Sequence, residues 1–175
     1  MTLRGLLADP SVVGAWTVAP ERSSVRFTNR TLWGLVKVTG HFAAIAGNGR
    51  IAADGSVSGR LVIAAASLRT GIRRRDEHLR SPDFFDTKRF PDIVVDVSAA
   101  TAIGDHSASL VASLNVRGVT RPLALAATVT RLGNDTVHIV CHTDIDRTAW
   151  GVSGNMAGMM PSSTALVADT IFVKV

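Results

Sequence analysis

Residues 66–95, ASLRTGIRRRDEHLRSPDFFDTKRFPDIVV, are the most informative segment of this chain. Most of the chain around it alternates apolar and polar residues, which is the pattern of half-buried β-strands. Residues 68–90 break that alternation, and Ser81 followed by Pro82 favours a helical turn with Ser81 as its N-cap. Pro91 ends the irregular stretch before the next strand. The pattern therefore predicts a short helical insertion, at about residues 68–90, between strands of a sheet.

Alternating runs account for most of the remaining chain. Examples are SSVRFTNR at 23–30 and TVHIVCHTDID at 136–146, and turn-forming segments separate such runs, among them GNG at 47–49 and RGVTRP at 117–122. Regularly spaced short strands of this kind favour a sandwich or a barrel with antiparallel neighbours. We expect one all-β domain over residues 15–175, preceded by an N-terminal extension at 1–14.

The composition is that of a folded chain with a core. Its 175 residues are 46% hydrophobic, with a mean hydropathy of +0.25, and no apolar run approaches the roughly 18 residues of a transmembrane helix. The N-terminus, MTLRGLLADPSVVG, is too short and interrupted for the apolar core of a signal peptide. We expect a cytoplasmic protein, or a periplasmic or secreted one if a leader was removed. The single cysteine, Cys141, excludes an internal disulfide and fits a reducing compartment.

The basic charge is concentrated near the insertion. The net charge is +5, and five arginines lie between Arg69 and Arg80. Such a cluster could attract nucleic acid or an anionic surface. However, the chain has no tyrosine, and its aromatic residues do not interleave with the basic ones as a base-stacking surface requires. A solvated helix face is therefore the favoured interpretation.

Candidate reactive groups do not form a reaction centre. Asp76 and His78 are two apart on a predicted helix, so their side chains diverge, and a structural role is favoured. On a strand, His138 and His142 face one side while Cys141 faces the other, which argues against a metal site. No Gly-x-Ser-x-Gly elbow or phosphate-binding loop occurs. The sequence predicts no catalytic residues and no metal ligands.

Several motifs occur together along the chain. They are Ser67–Gly71, Arg75–Leu79, Asp83–Asp86, Phe90–Pro91 and, farther on, Gly118–Pro122, with Arg147, Trp150 and Gly151 near the end. In this order they resemble the YceI-like family, the lipocalin-like polyisoprenoid-binding proteins of bacteria. The resemblance covers roughly residues 15–175. It implies an antiparallel eight-stranded lipocalin-like β-barrel, with the helical insertion covering one end.

The resemblance also implies a function. It suggests binding of a long apolar isoprenoid-type lipid, polyprenyl or quinone-like, in an elongated barrel cavity, for carriage or storage. Such a lipid would be the partner and the only bound group, with no nucleic acid and no other cofactor. Two alternatives stay open: an enzyme acting on a lipid-like substrate in the same cavity, and a binder of nucleic acid or acidic partners through the arginine-rich helix. Transient contact with a membrane surface and a homodimer, formed through an edge strand or the methionine-rich loop at 155–163, also stay open.

The alternation assigns a cavity wall. Inward-facing strand residues, the two phenylalanines of the insertion and two later residues are expected to contact the ligand: Phe27, Val36, Val38, Phe42, Leu61, Ile63, Phe84, Phe85, Ile93, Val95, Leu114, Leu125, Ile139, Trp150 and Met159.

Overall fold

The computed structural model describes residues 1–31, 35–155 and 160–175. Within those residues it has two α-helices and eleven β-strands. The helices are α1 (Leu3–Leu7) and α2 (Arg73–Arg80). The strands are β1 (Gly14–Val18), β2 (Ser24–Thr31), β3 (Val36–Phe42), β4 (Ile45–Ile51), β5 (Val57–Ala64), β6 (Leu68–Arg69), β7 (Asp92–Ala102), β8 (Ser107–Val116), β9 (Val119–Gly133), β10 (Thr136–Asp146) and β11 (Ser163–Lys174). No helix in the described ranges is long and apolar enough to cross a membrane.

Eight antiparallel strands close into a ring, which confirms the predicted barrel. The order around the ring is β1-β4-β5-β7-β8-β9-β10-β11, and β1 pairs with both β4 and β11. Strand β11 is long enough to pair with β1 through Phe172–Lys174 and with β2 through Ala165–Asp169. From β2 the sheet continues to β3 and β6. Next to β11, the barrel wall therefore consists of β1 beside its C-terminal part and of β2, followed by β3, beside its N-terminal part.

Strand β4 corrects one prediction, because GNG at 47–49 lies inside a strand and not in a turn. Gly49 is paired directly with Gly59 of β5. A Cβ atom at Gly47 would lie 2.8 Å from the side chain of Val18. These glycines mark a close approach of neighbouring elements, which is the other common reason for glycine in a strand.

The helical part of the insertion is shorter than predicted. Helix α2 ends at Arg80, and Ser81 is its C-cap, with Ser81 Oγ donating to the carbonyl of His78 at 2.6 Å. The predicted N-cap role of Ser81 is therefore wrong, and residues 82–89 form turns. A serine before a proline favours a helix start only when the following residues continue the helix, and here the following residues form turns.

The two ends of the barrel have separate hydrophobic clusters. At the α2 end, Leu79 and Phe84 pack with Phe42 and Leu68 of the sheet. At the opposite end, Leu3 and Leu6 of α1 pack with Val12 and with residues of β8, β9 and β10. The N-terminal extension thus packs against the barrel instead of projecting from it.

Candidate ligand-binding cavity

A large cavity runs through the barrel between the two helices. Its volume is about 1150 Å³, above the 300–1,000 Å³ common for small-molecule sites. At about 30 Å³ for a water-sized group, it has room for roughly 40 such groups. Its lining is overwhelmingly apolar, and it extends from Leu3 and Leu6 at one end to Phe84 and Phe85 at the other. We call this cavity the tunnel.

The predicted wall residues border the tunnel wherever the structure describes them. Those on strands are Phe27, Val36, Val38, Phe42, Leu61, Ile63, Ile93, Val95, Leu114, Leu125 and Ile139, and those outside strands are Phe84, Phe85 and Trp150. Met159 lies outside the described residues. The strand residues among them share the inner face because inward and outward side chains exchange at every residue of a strand. Whether they contact a ligand stays a prediction.

The aromatic residues at the α2 end form a connected group. The rings of Phe27 and Phe42 are 5.6 Å apart, and Phe85 meets Phe42 edge-on at 6.1 Å. The indole of Trp150 is held in place because its Nε1 donates to the carbonyl of Leu114 at 2.9 Å. These contacts fix the shape of the tunnel at this end.

The charged residues of the insertion mostly hold the insertion itself. Asp76 is buried and accepts hydrogen bonds from the backbone N and the hydroxyl of Thr70. Arg75 donates one hydrogen bond to the hydroxyl of Thr70 and another to the carbonyl oxygen of Thr70. Arg80 donates to the carbonyls of Ala66 and Leu68. These contacts favour the architectural interpretation of the arginine cluster.

The other candidate reactive groups do not come together, because His78 and Cys141 border the tunnel whereas His138 and His142 do not. His138 faces away from the tunnel and meets Asp169 at 2.7 Å. Cys141 does border the tunnel, and burial raises the pKa of its thiol to about 11. At neutral pH this thiol is protonated and a poor nucleophile. Among the described residues no group of three or more His, Cys, Asp or Glu could hold a metal.

Buried polar groups are concentrated at the α2 end of the tunnel. Asn29 and Thr164 are both buried, and Asn29 Nδ2 donates to Thr164 Oγ1 at 3.0 Å. The Oδ1 atom of Asn29 has no hydrogen-bond partner among the described residues, a state that costs about 1–3 kcal/mol. Arg147, also buried here, donates to the carbonyls of Val152 and Pro161.

At the opposite end, the buried residues that the structure describes in the lining are apolar apart from Thr170. Thr170 is satisfied there by the carbonyl of Ile139 at 3.1 Å. The polar residues Arg50, Ser58 and Arg60 border the tunnel beside the Gly49–Gly59 pair, but all three are solvent-exposed. The tunnel is therefore asymmetric, because apolar residues line both of its ends but its buried polar side chains lie mostly near α2.

Sequence reasoning missed several tunnel residues. Leu3, Leu6 and Leu7 were assigned to an extension, and Asn29 and Thr164 were not considered. The spacing of Leu3 and Leu6 was a weak signal, because two apolar residues three apart fit one face of a short helix. Asn29 follows Val25 and Phe27 in the same alternation, so its inward position was readable from the sequence.

Several solved structures have a similar architecture. The structure resembles that of BcnA from Burkholderia cenocepacia, with a TM-score of 0.80 and 19% identity over 88% of this chain and 98% of that one. It also resembles a polyisoprenoid binding domain from Saccharophagus degradans implicated in plant cell wall breakdown, with a TM-score of 0.78 and 19% identity over 91% of this chain and 98% of that one. At such identities the likeness shows the fold.

Sequence relatives are found among pseudomonads. A UPF0312 protein of Pseudomonas putida is 36% identical over 70 residues, which is 40% of this chain and 36% of the relative. One of Pseudomonas paraeruginosa is 31% identical over 110 residues, or 63% of this chain and 49% of the relative. The aligned regions thus span about a third to a half of these relatives' lengths. The model of the YceI-like domain matches residues 16–175, nearly the whole barrel, and the chain therefore belongs to the YceI-like family.

Proposed function

We propose that this protein binds one long isoprenoid-type lipid inside the tunnel and carries it between membranes. The observation that carries the proposal is the continuous apolar cavity of about 1150 Å³ between α1 and α2. Burying a methylene group contributes about 0.8 kcal/mol, so a long tail binds tightly without a charged anchor. The structural similarity to a polyisoprenoid binding domain of Saccharophagus degradans supports this class of ligand.

The asymmetry of the tunnel supports one orientation of the lipid. A polar head group lies at the α2 end, where Asn29 and Thr164 offer an amide and a hydroxyl. The apolar tail extends toward α1. The unpartnered Oδ1 of Asn29 favours a head group that contributes a hydrogen-bond donor or, after rotation of the amide, an acceptor.

Purified protein tests the proposal directly. Native mass spectrometry followed by organic extraction should show one lipid bound to the 18.5 kDa chain and release an isoprenoid. The delipidated protein should then take up an added ubiquinone with a stoichiometry of one. A protein that carries no lipid and takes up no isoprenoid alcohol or quinone would contradict the proposal.

Two tryptophans at opposite ends of the tunnel test the orientation. Trp150 borders the α2 end, and Trp16 packs at the α1 end. A quinone ring quenches a nearby indole, and the third tryptophan, Trp33, is replaced by Phe in every variant compared. In that background Trp150→Phe should remove most of the quenching by bound ubiquinone, and Trp16→Phe should remove little. The reverse result would place the head group at the α1 end.

The α2 end also offers a surface for loading from a membrane. Ile72 and Val36 are exposed and border the tunnel, and Arg74 and Arg75 border it as well. We call these four residues the mouth. Exposed apolar side chains next to arginines suit the surface of an anionic bilayer.

Transfer kinetics test the role of the mouth. Uptake of ubiquinone from vesicles of phosphatidylglycerol and phosphatidylcholine should be slower for Ile72→Ser. It should be unchanged for Val111→Ser, which removes an equally exposed side chain on the outer face of β8. Equal uptake rates for Ile72→Ser and the unmodified protein would contradict loading at the mouth.

A further inference from the structure

The N-terminal segment, residues 1–13, lies at the end of the tunnel opposite the mouth. We infer that this segment, which we call the stopper, closes that end and sets the longest tail that the tunnel accepts. The inference rests on the proposed function, and it assigns the choice of tail length to residues outside the region that matches the family, which begins at residue 16.

The stopper supplies part of the tunnel wall. Leu3, Leu6 and Leu7 all border the tunnel, and Leu3 and Leu6 are only 5% exposed. They pack with Trp16 of β1 and with Val137 of β10. A tail that advances along the tunnel therefore meets leucine side chains and not solvent.

Several polar contacts hold the stopper on the barrel. The backbone N of Leu3 donates to the carbonyl of Asp105 at 2.6 Å. The carboxylate of Asp9 forms an ion pair of 2.8 Å with Arg131 of β9, and both side chains are mostly buried. The indole of Trp16 donates to the carbonyl of Val12 at 2.9 Å. Contacts at both ends of the segment fix its position, so it acts as a wall and not as a loose tail.

The distance to the stopper is set by the strands. On β10 the residues from Ile145 to Val137 line the tunnel at alternate positions. From Ile145 to Val137 there are eight residue steps of about 3.3 Å each. Because barrel strands are tilted by about 40°, this part of the tunnel is roughly 20 Å long along the barrel axis. Below this limit each added methylene is buried, and beyond it the tail must fold back or stay in water. Affinity should therefore rise with tail length and then stop rising.

A series of ubiquinones that differ only in the number of isoprene units measures this limit. For the unmodified protein, the dissociation constant should fall by roughly a thousandfold per unit up to a limiting tail length, which we call the break, and should fall no further beyond it. Combined Leu3→Ala and Leu6→Ala substitution removes six side-chain carbons, about one isoprene unit, and should move the break to a tail one unit longer. Leu6→Trp fills the space instead and should move the break to a shorter tail.

Leu68→Ala is the matched control. Leu68 is fully buried but does not border the tunnel, so its truncation should lower the melting temperature and leave the break unchanged. Leu6→Trp keeps the test decisive if the double alanine variant does not fold. If ubiquinones bind but the break is the same in the unmodified protein and in Leu6→Trp, the stopper does not set the length. If no ubiquinone or isoprenoid alcohol binds the unmodified protein, the proposed function fails, and the length limit fails with it.

Discussion

Replacing Leu61 with tryptophan should block the tunnel without unfolding the barrel. Leu61 borders the tunnel on β5, where it is paired with Val95 of β7 and with Gly47 of β4. Tryptophan has ten side-chain heavy atoms and leucine has four, so the indole displaces roughly six carbon-sized groups of a bound tail. At about 0.8 kcal/mol for each, the ligand loses about 5 kcal/mol, which weakens its dissociation constant by more than a thousandfold.

The stability of this variant should change little. Overpacking a filled core costs about 1–3 kcal/mol, but here the added ring enters an existing cavity, and the free energy of unfolding should fall by less than that. Binding is measured by titration with ubiquinone, and stability by urea denaturation. Val111→Trp, which places the same ring on the exposed face of β8, should bind normally. If folded Leu61→Trp binds ubiquinone as tightly as the unmodified protein, the lipid does not occupy the tunnel.

Three further predictions concern other parts of the barrel. Burial raises the pKa of the Cys141 thiol to about 11. The rate at which N-ethylmaleimide modifies Cys141 should therefore rise about tenfold per pH unit from pH 7 to 9, and bound lipid should prevent the modification. Fast modification of the lipid-loaded protein at pH 7 would contradict this prediction. Hydrogen bonds from Arg131 and from Ser11 lower the pKa of Asp9 from 3.8 to about 2. The stability that Asp9 contributes is therefore complete above pH 4 and is lost as the pH falls through 2, so Asp9→Asn should unfold at lower urea than the unmodified protein at pH 7 but not near pH 2. A Cβ atom at Gly154 would collide with a backbone carbonyl of the insertion, so Gly154→Ala should lower the free energy of unfolding by about 1–3 kcal/mol. A Cβ atom at Gly133 meets open space, so Gly133→Ala should leave that free energy unchanged. Equal changes in the two variants, measured by urea denaturation, would refute the collision.

The strand residues of the tunnel were predictable because alternation is a local property. Once Val25 and Phe27 are assigned to the inner face, every second residue of that strand follows, and Asn29 could have been included by the same rule. The motif-rich insertion was equally informative. The resemblance that its motifs carry predicted a cover over one barrel end, and Phe84 and Phe85 pack there.

Other features depend on contacts between distant residues. The sequence of β4 resembles a turn because Gly47 and Gly49 weaken its strand signal, and only the packing of Val18 and the pairing with Gly59 explain those glycines. The closure of the ring by β1 depends on β11, which lies about 150 residues away in the chain. A turn signal describes a few neighbouring residues and carries no information about such pairings.

The sequence by itself determined the all-β class, the family, the helical insertion and the inward face of most strands. The tertiary structure was needed to show that the buried polar side chains of the tunnel lie mostly near α2, and that Leu3 and Leu6 pack at its other end. The physical reason is that side-chain alternation follows from the geometry of one strand, whereas the length and polarity of a cavity depend on which elements meet at its ends. A five-residue helix such as α1 is stabilised by tertiary packing and not by its own propensity, so its position could not be predicted from its sequence.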